Sequence, residues 1–345
     1  MTLSSLPQPT PDPSARFTAR STEDLLAVAP VVLGFHPQDS VVMLTFGGNR
    51  AFHARIDLPP PAEDLATRRR DLDHLAASLT EPARRERVAA VALLFYSEDP
   101  RPADVAWRRL RRALGDCGVR VIEAVRVGSH RYHPLLDRDG RRRQDGVPFD
   151  VSAHPFVAES VLGGTVIHRS RDALVATLDP DRAAQDRVRA VVDGELRRGG
   201  VPELVLELLA AGTWVRALVE RHVDAGTLPA EPEIARLAWT MQAVRVRDAA
   251  WGLIRRNRAR EHVELWLGVV RRTPDELAAP PAALLGWSAW MAGDGALAWS
   301  AVDRCREADP AYRLAGLIAH ALEHALPPET GEMEFDWAAG LAEPG

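Results

Sequence analysis

Eight residues at the ends of predicted strands carry side chains that bind ligands or move protons: Asp39, Ser40, Arg55, Asp57, Glu98, Asp99, Ser129 and His130. Carboxylates, hydroxyls and an imidazole on one edge can hold a cation through oxygen and nitrogen, or do acid–base work. Ordinary strand-end polarity is the competing reading, because chain ends of strands meet water in every protein. His130 and His133 are three residues apart in a segment that reads as extended. Side chains at that spacing point to opposite faces, so a shared metal is not expected. No Walker loop, Rossmann glycine fingerprint, HExxH or GxSxG elbow occurs. No metal centre and no cofactor are expected, and no catalytic residue is assigned.

The elements that would bring these residues together read as follows. Ser21, followed by Glu23 and Asp24, is a helix N-cap with acidic residues in the first turn, and Pro30 with Gly34 ends that helix. A strand over 40–46 and another over 51–58 flank Gly47-Gly48-Asn49-Arg50, a strong hairpin signal. Pairing Phe46 with Ala51 puts Ser40 opposite Asp57 and Val42 opposite Arg55. Val41, Met43, Thr45, Phe52, Ala54, Ile56 and Leu58 then form a core face, and the opposite face is mixed. A helix over 63–79, an apolar strand over 88–96, a helix over 102–117 and a strand over 119–127 follow. The order α-β-β-α-β-α-β implies a four-stranded mixed sheet, its last three strands parallel through helical crossovers. Ligands gather at the carboxyl ends of such strands, and the eight residues all map to that rim. Residues 134–150 read as a charged loop.

From about 183 onward the strand signal is gone. Helices are expected at 183–198, 202–211, 213–225, 231–246, 248–257, 259–272, 282–292, 296–308 and 311–325, separated by Gly and Pro. Leu285-Gly286, Gly293, Ala298 and Pro310 follow tetratricopeptide spacing, and Trp251-Gly252 with Ala259 is a degenerate earlier copy. Eight of the nine tryptophans fall in this half. Trp287, Trp290 and Trp299 are candidates for a partner surface, where aromatics act as hot spots. Trp287 and Trp290, one helical turn apart, share a face and are expected first of all to pack the helical core, with the partner surface as the alternative.

Composition narrows the class. The 345 residues suit two domains. The 43 basic residues are all arginine, asparagine occurs only at Asn49 and Asn257, and net charge is −5. These point to a high-GC bacterial genome and away from nucleic acid, whose binders carry a basic surface. The runs Arg68–Arg70, Arg141–Arg143 and Arg255-Arg256 sit beside acids and read as solvated faces. Cys117 and Cys305 fall in different halves, which excludes a disulfide framework. No signal peptide and no apolar run of about 18 residues occurs, so a cytoplasmic location without membrane contact is expected. The expected division is a disordered tail at 1–16, an α/β domain at 17–150, a junction at 151–182, an all-helical, tetratricopeptide-like domain at 183–328 and an acidic tail at 329–345.

Several segments together resemble one family: residues 21–26, 33–40 (Leu-Gly-Phe-His-Pro-Gln-Asp-Ser), 55–59 and 293–298 with Asp309-Pro310. Their order and spacing over about 17–328 resemble domain of unknown function 4192, a family of high-GC bacteria. The resemblance implies no established activity. It implies cysteines just after the strand near Tyr132, and residues 134–148 here contain none, so the resemblance lends no support to a metal or redox role for that loop. Two functions follow from the whole reading. One is an interaction, regulatory or scaffold protein that docks a protein partner through its helical half. The other is a small-molecule-binding or hydrolytic enzyme using the strand-end rim.

Overall fold

The computed structural model describes residues 18–49, 52–60, 64–136, 145–162, 166–332 and 336–341. Expectations that fall on residues 1–16, Ala51, Glu63, Arg141–Arg143 and Phe335 lie outside the described residues. The chain divides into two compact units, Met1–Arg171 and Asp172–Gly345.

The first unit opens with α1 (Thr22–Leu33). Ser21 Oγ accepts from the Asp24 amide at 3.1 Å and the Asp24 carboxylate accepts from the Ser21 amide at 3.1 Å, a reciprocal capping box. Gly34 ends the helix at φ +73°, a conformation that glycine adopts without penalty. The sheet comprises β1 (Ser40–Phe46), β2 (His53–Asp57), β3 (Ala90–Tyr96), β4 (Arg120–Val127), β5 (Arg131–Pro134) and β6 (Val147–Pro148), in the spatial order β2-β1-β3-β4-β5-β6. Six strands replace the four expected. The added pair has four and two residues, too short to show a period of two, and it flanks a charged segment that reads as loop. The hairpin register is the expected one, with Ser40 opposite Asp57 and Val42 opposite Arg55.

β2, β3 and β4 run in one direction, but β1 lies between β2 and β3 and is antiparallel to both. Only β3 and β4 of those three are bonded in parallel. One face buries Val41, Met43, Val91, Leu93 and Phe95 against Leu75 and Leu79 of α2 (Leu65–Arg85) and Trp107, Leu110 and Leu114 of α3 (Pro100–Asp116). The other buries Val42, Leu44, Leu94, Val125 and Val127 against Leu25, Leu26 and Val28 of α1, with Phe156 of α4 (Pro155–Leu162) beside them. The face read as mixed is therefore a second core, with Arg55 of β2 opposite Val42 and Glu123 of β4 bonded to Thr22 of α1 on it.

The second unit is helical. It comprises α5 (Arg171–Val175), α6 (Arg182–Val191), which runs through a π turn into α7 (Arg197–Gly199), α8 (Val205–Ala225), α9 (Glu231–Thr240), α10 (Val244–Trp251), α11 (Ala259–Arg272), α12 (Ala279–Met291), α13 (Gly295–Ala308) and α14 (Arg313–Glu323). Two expected helices over 202–225 are one, and the helix expected over 231–246 breaks instead at 241–243. Gly286 of α12 faces α13: a Cβ there would lie 3.5 Å from the Ala301 Cβ and from the Ala298 carbonyl. No helix among the described residues is long and apolar enough to cross a membrane.

Candidate functional site

The rim residues do fall at one end of the sheet, because the carboxyl ends of β2, β3 and β4 and the start of β1 share that edge. They do not converge. From β2 to β4 is three strand spacings, about 14 Å, and the residues gather at two corners.

At the β3–β4 corner, Glu98 Oε1 accepts from the Ser129 amide at 2.7 Å and the Ser129 hydroxyl at 2.6 Å. Those bonds hold the exposed Glu98 carboxyl below the usual range. Asp99 caps α3, accepting from the Arg101 amide at 2.9 Å. Arg126 donates to the carbonyls of Ser97 and Glu98, and His130 is exposed. Glu98, Ser129 and Asp99 thus fasten loops and a helix start, which accounts for them structurally.

The β1–β2 corner differs. Ser40 is 0% exposed and its hydroxyl has no hydrogen-bond partner. Arg55 lies on the same face, two residues before Asp57, which pairs with Ser40 across the strands. Its Nη2 reaches Asp57 at 2.5 Å and the Gln38 carbonyl at 3.3 Å, while its buried Nε has no partner. The guanidinium lies 5.7 Å from the ring centroid of Phe35, which is 2% exposed. A buried polar group without a partner costs about 1–3 kcal/mol, so two at one corner are an anomaly that asks for an explanation. Asp39 adds a third oddity. It sits at φ +40°, sparse territory for a residue with a Cβ, and its carbonyl accepts from the Leu58 amide at 2.8 Å.

Neighbours of Ser40 that the sequence did not single out are Phe35, Gln38 and Tyr96. Tyr96 pairs with Ser40 from the β3 side, and burial raises its hydroxyl above the ordinary tyrosine value. Only three-dimensional pairing brings Tyr96 here, since it ends a strand that reads as plain core. The backbone of Gly34 and His36 is tied to His168 by two hydrogen bonds of 2.8 and 2.9 Å, which fixes the loop that carries Phe35. Among the described residues, no group of three or more His, Cys, Asp or Glu is placed to hold a metal ion.

In the helical unit, Trp287 and Trp290 are 4% and 5% exposed, and Trp299 is half-buried. Trp287 meets Trp251 edge-on at 5.0 Å and Trp290 at 4.9 Å. The first two members of the candidate partner surface are therefore packed inside rather than displayed. A cavity of about 250 Å³ lies elsewhere in this unit, lined by Asp179, Arg182, Asp275, Ser300, Arg304 and Glu307 among others. Asp275 pairs there with Arg182 at 2.8 Å and with Arg304 at 2.5 Å, and the buried Arg304 Nε has no hydrogen-bond partner among the described residues.

A family model described as Domain of unknown function (DUF4192) matches residues 23–329. No curated protein and no solved structure matches the chain.

Proposed function

We propose, for a chain that belongs to the Domain of unknown function (DUF4192) family, that its α/β unit binds a small polar ligand at the β1–β2 corner. The observation that carries this is the pair of buried, unpartnered groups, Ser40 Oγ and Arg55 Nε, on adjacent strands beside a strained Asp39. Both can donate, so the ligand presents an oxygen acceptor, a carbonyl or carboxylate. Asp39 and Asp57 are exposed beside this corner, and Asp57 already answers much of the Arg55 charge. A polyphosphate is disfavoured there by like-charge repulsion. Binding alone is proposed, because Glu98, Asp99 and His130 belong to the other corner.

The test is thermal unfolding of the intact protein with amino acids, dicarboxylates, sugars and nucleotides. A ligand at a hundred times its dissociation constant adds about 2.7 kcal/mol of stability. The expected result is such a shift from a carboxylate-bearing compound, lost in Arg55→Leu. No shift from any class, or one that survives Arg55→Leu, would end this reading.

A second reading is docking of a protein partner by the helical unit. It is favoured by Leu204, Val205 and Leu206, consecutive and 67%, 46% and 79% exposed at the start of α8. The close approach of α12 and α13 at Gly286 supports a tetratricopeptide-like pair within it.

A further inference from the structure

The segment that reads as an acidic tail folds back over the helical unit in two places. Around Gly331 it covers the tryptophan pair: a Cβ on Gly331 would lie 2.9 Å from Trp287 Cζ2 and 3.0 Å from Met291 Sδ. Trp290 Nε1 donates to the Leu326 carbonyl at 3.2 Å just before it. Arg256 takes two carboxylates from the same stretch, pairing with Glu329 through its guanidinium and with Glu332 through its backbone amide. Farther on, Trp337 and Leu341, each 9% exposed, pack with Ala249 of α10 and with Leu208 and Leu209 of α8. The indole of Trp337 packs against Gly212, and a Cβ at that position would overlap the ring. A glycine in the middle of a 21-residue helix weakens it, so the notch it opens for an indole is the evident return.

The bonding of this second patch is one-sided. Among the described residues, every hydrogen bond made by 336–341 stays within that segment: Ala338 N to Asp336 Oδ1, Ala339 N to the Asp336 carbonyl, and Leu341 N to the Ala338 carbonyl. Among the described residues, apolar burial alone holds 336–341 to α8 and α10. An occupant held that way is replaceable by another segment offering the same side chains, since no directional bond to the groove has to be remade.

We infer that the α8–α10 groove is a docking site whose partner is a protein segment of the same chemistry: carboxylates, then a tryptophan, then a leucine four residues on. The chain's own 336–341 is the tethered occupant that competes with it. The Gly212 notch sets the requirement for an aromatic ring, and Arg256 sets the requirement for preceding carboxylates. The exposed Leu204, Val205 and Leu206 extend the apolar surface along the same helix. This inference stands independently of the ligand corner in the α/β unit.

The experiment uses the full chain and a fluorescein-labelled peptide of residues 327–345, read by fluorescence anisotropy. Trp337→Ala, which empties the notch, is expected to bind the peptide at least ten-fold more tightly than the wild type. Adding Gly212→Leu to that variant, or replacing the tryptophan of the peptide by alanine, is expected to abolish binding. Circular dichroism and cooperative unfolding establish that each variant is folded. Equal binding by wild type and a folded Trp337→Ala would overturn the proposal. So would loss of the helical fold in Trp337→Ala, because the segment would then be part of the core. A wild-type dimer in light scattering that Trp337→Ala turns into a monomer would assign the groove to a second copy of this chain instead.

Discussion

Replacing Arg247 with leucine is expected to destabilise the protein by about 3–5 kcal/mol, the usual result of stripping one partner from a buried ion pair. Arg247 is 7% exposed, its Nη2 lies 2.8 Å from Asp248 Oδ1, and its guanidinium sits 5.7 Å from the Trp251 ring and 5.6 Å from the Tyr312 ring. Its Nε and Nη1 have no hydrogen-bond partner, so the pair as a whole gains little. What the substitution exposes is the cost of Asp248 alone, whose carboxyl burial already pushes above the usual range. The double variant Arg247→Leu with Asp248→Leu is therefore expected to recover most of the loss. Urea unfolding of the two single variants and the double variant measures this directly. A double variant as unstable as the worse single one would mean that the pair itself stabilises α10.

Stability is also expected to fall as pH drops from about 6.5 to about 4, through His262. This residue is 3% exposed, and burial, helped by the positive charge of Arg258, lowers its pKa to about 4. The unfolded chain takes up the proton near 6.5 while the folded chain refuses it until about 4. The neutral-ring contribution is thus complete above 6.5 and is lost as pH falls through that window. At 1.36 kcal/mol per pKa unit the total is about 3 kcal/mol. In urea midpoints taken from pH 4 to 8, His262→Gln should flatten the acid limb relative to the wild type. Parallel limbs for the two proteins would show that other groups govern the acid response.

Much of the α/β unit is legible in the sequence because local signals and long-range pairing agree there. Gly47 and Gly48 mark the turn, and pairing Phe46 with Ala51 across it sets Ser40 opposite Asp57, the register found. Ser21 and Asp24 announce α1 by their types and spacing. β5 and β6 escape because pairing across an intervening segment, not local pattern, makes them strands. In the helical unit Gly212 reads as a break between two helices. Its real role depends on Trp337, 125 positions away in the chain, so no local pattern carries it. Nothing local marks Arg247 and Asp248 for the interior either, because burial of a charge is decided by packing.

The candidate site was legible as a set of residues and not as an arrangement. Spacing placed all eight on one rim, yet only three-dimensional pairing separates Ser40, Arg55 and Asp57 from Glu98 and Ser129. Chemical type also gave no warning that a serine and an arginine would be buried without partners. Trp287 and Trp290 illustrate the converse, since the spacing that puts an aromatic pair on one helix face favours the core, where packing places them.

The central claim is that Ser40 and Arg55 are kept buried for a ligand. Its most direct test is the unfolding midpoint of Ser40→Ala against the wild type, each with and without the strongest compound from the thermal screen. Removing an unpartnered buried hydroxyl relieves its desolvation, so the empty variant should be more stable, by about 1 kcal/mol. The same variant should lose most of the ligand-induced shift. A variant less stable when empty, or one that keeps the full shift, would contradict the assignment and return Ser40 to the core.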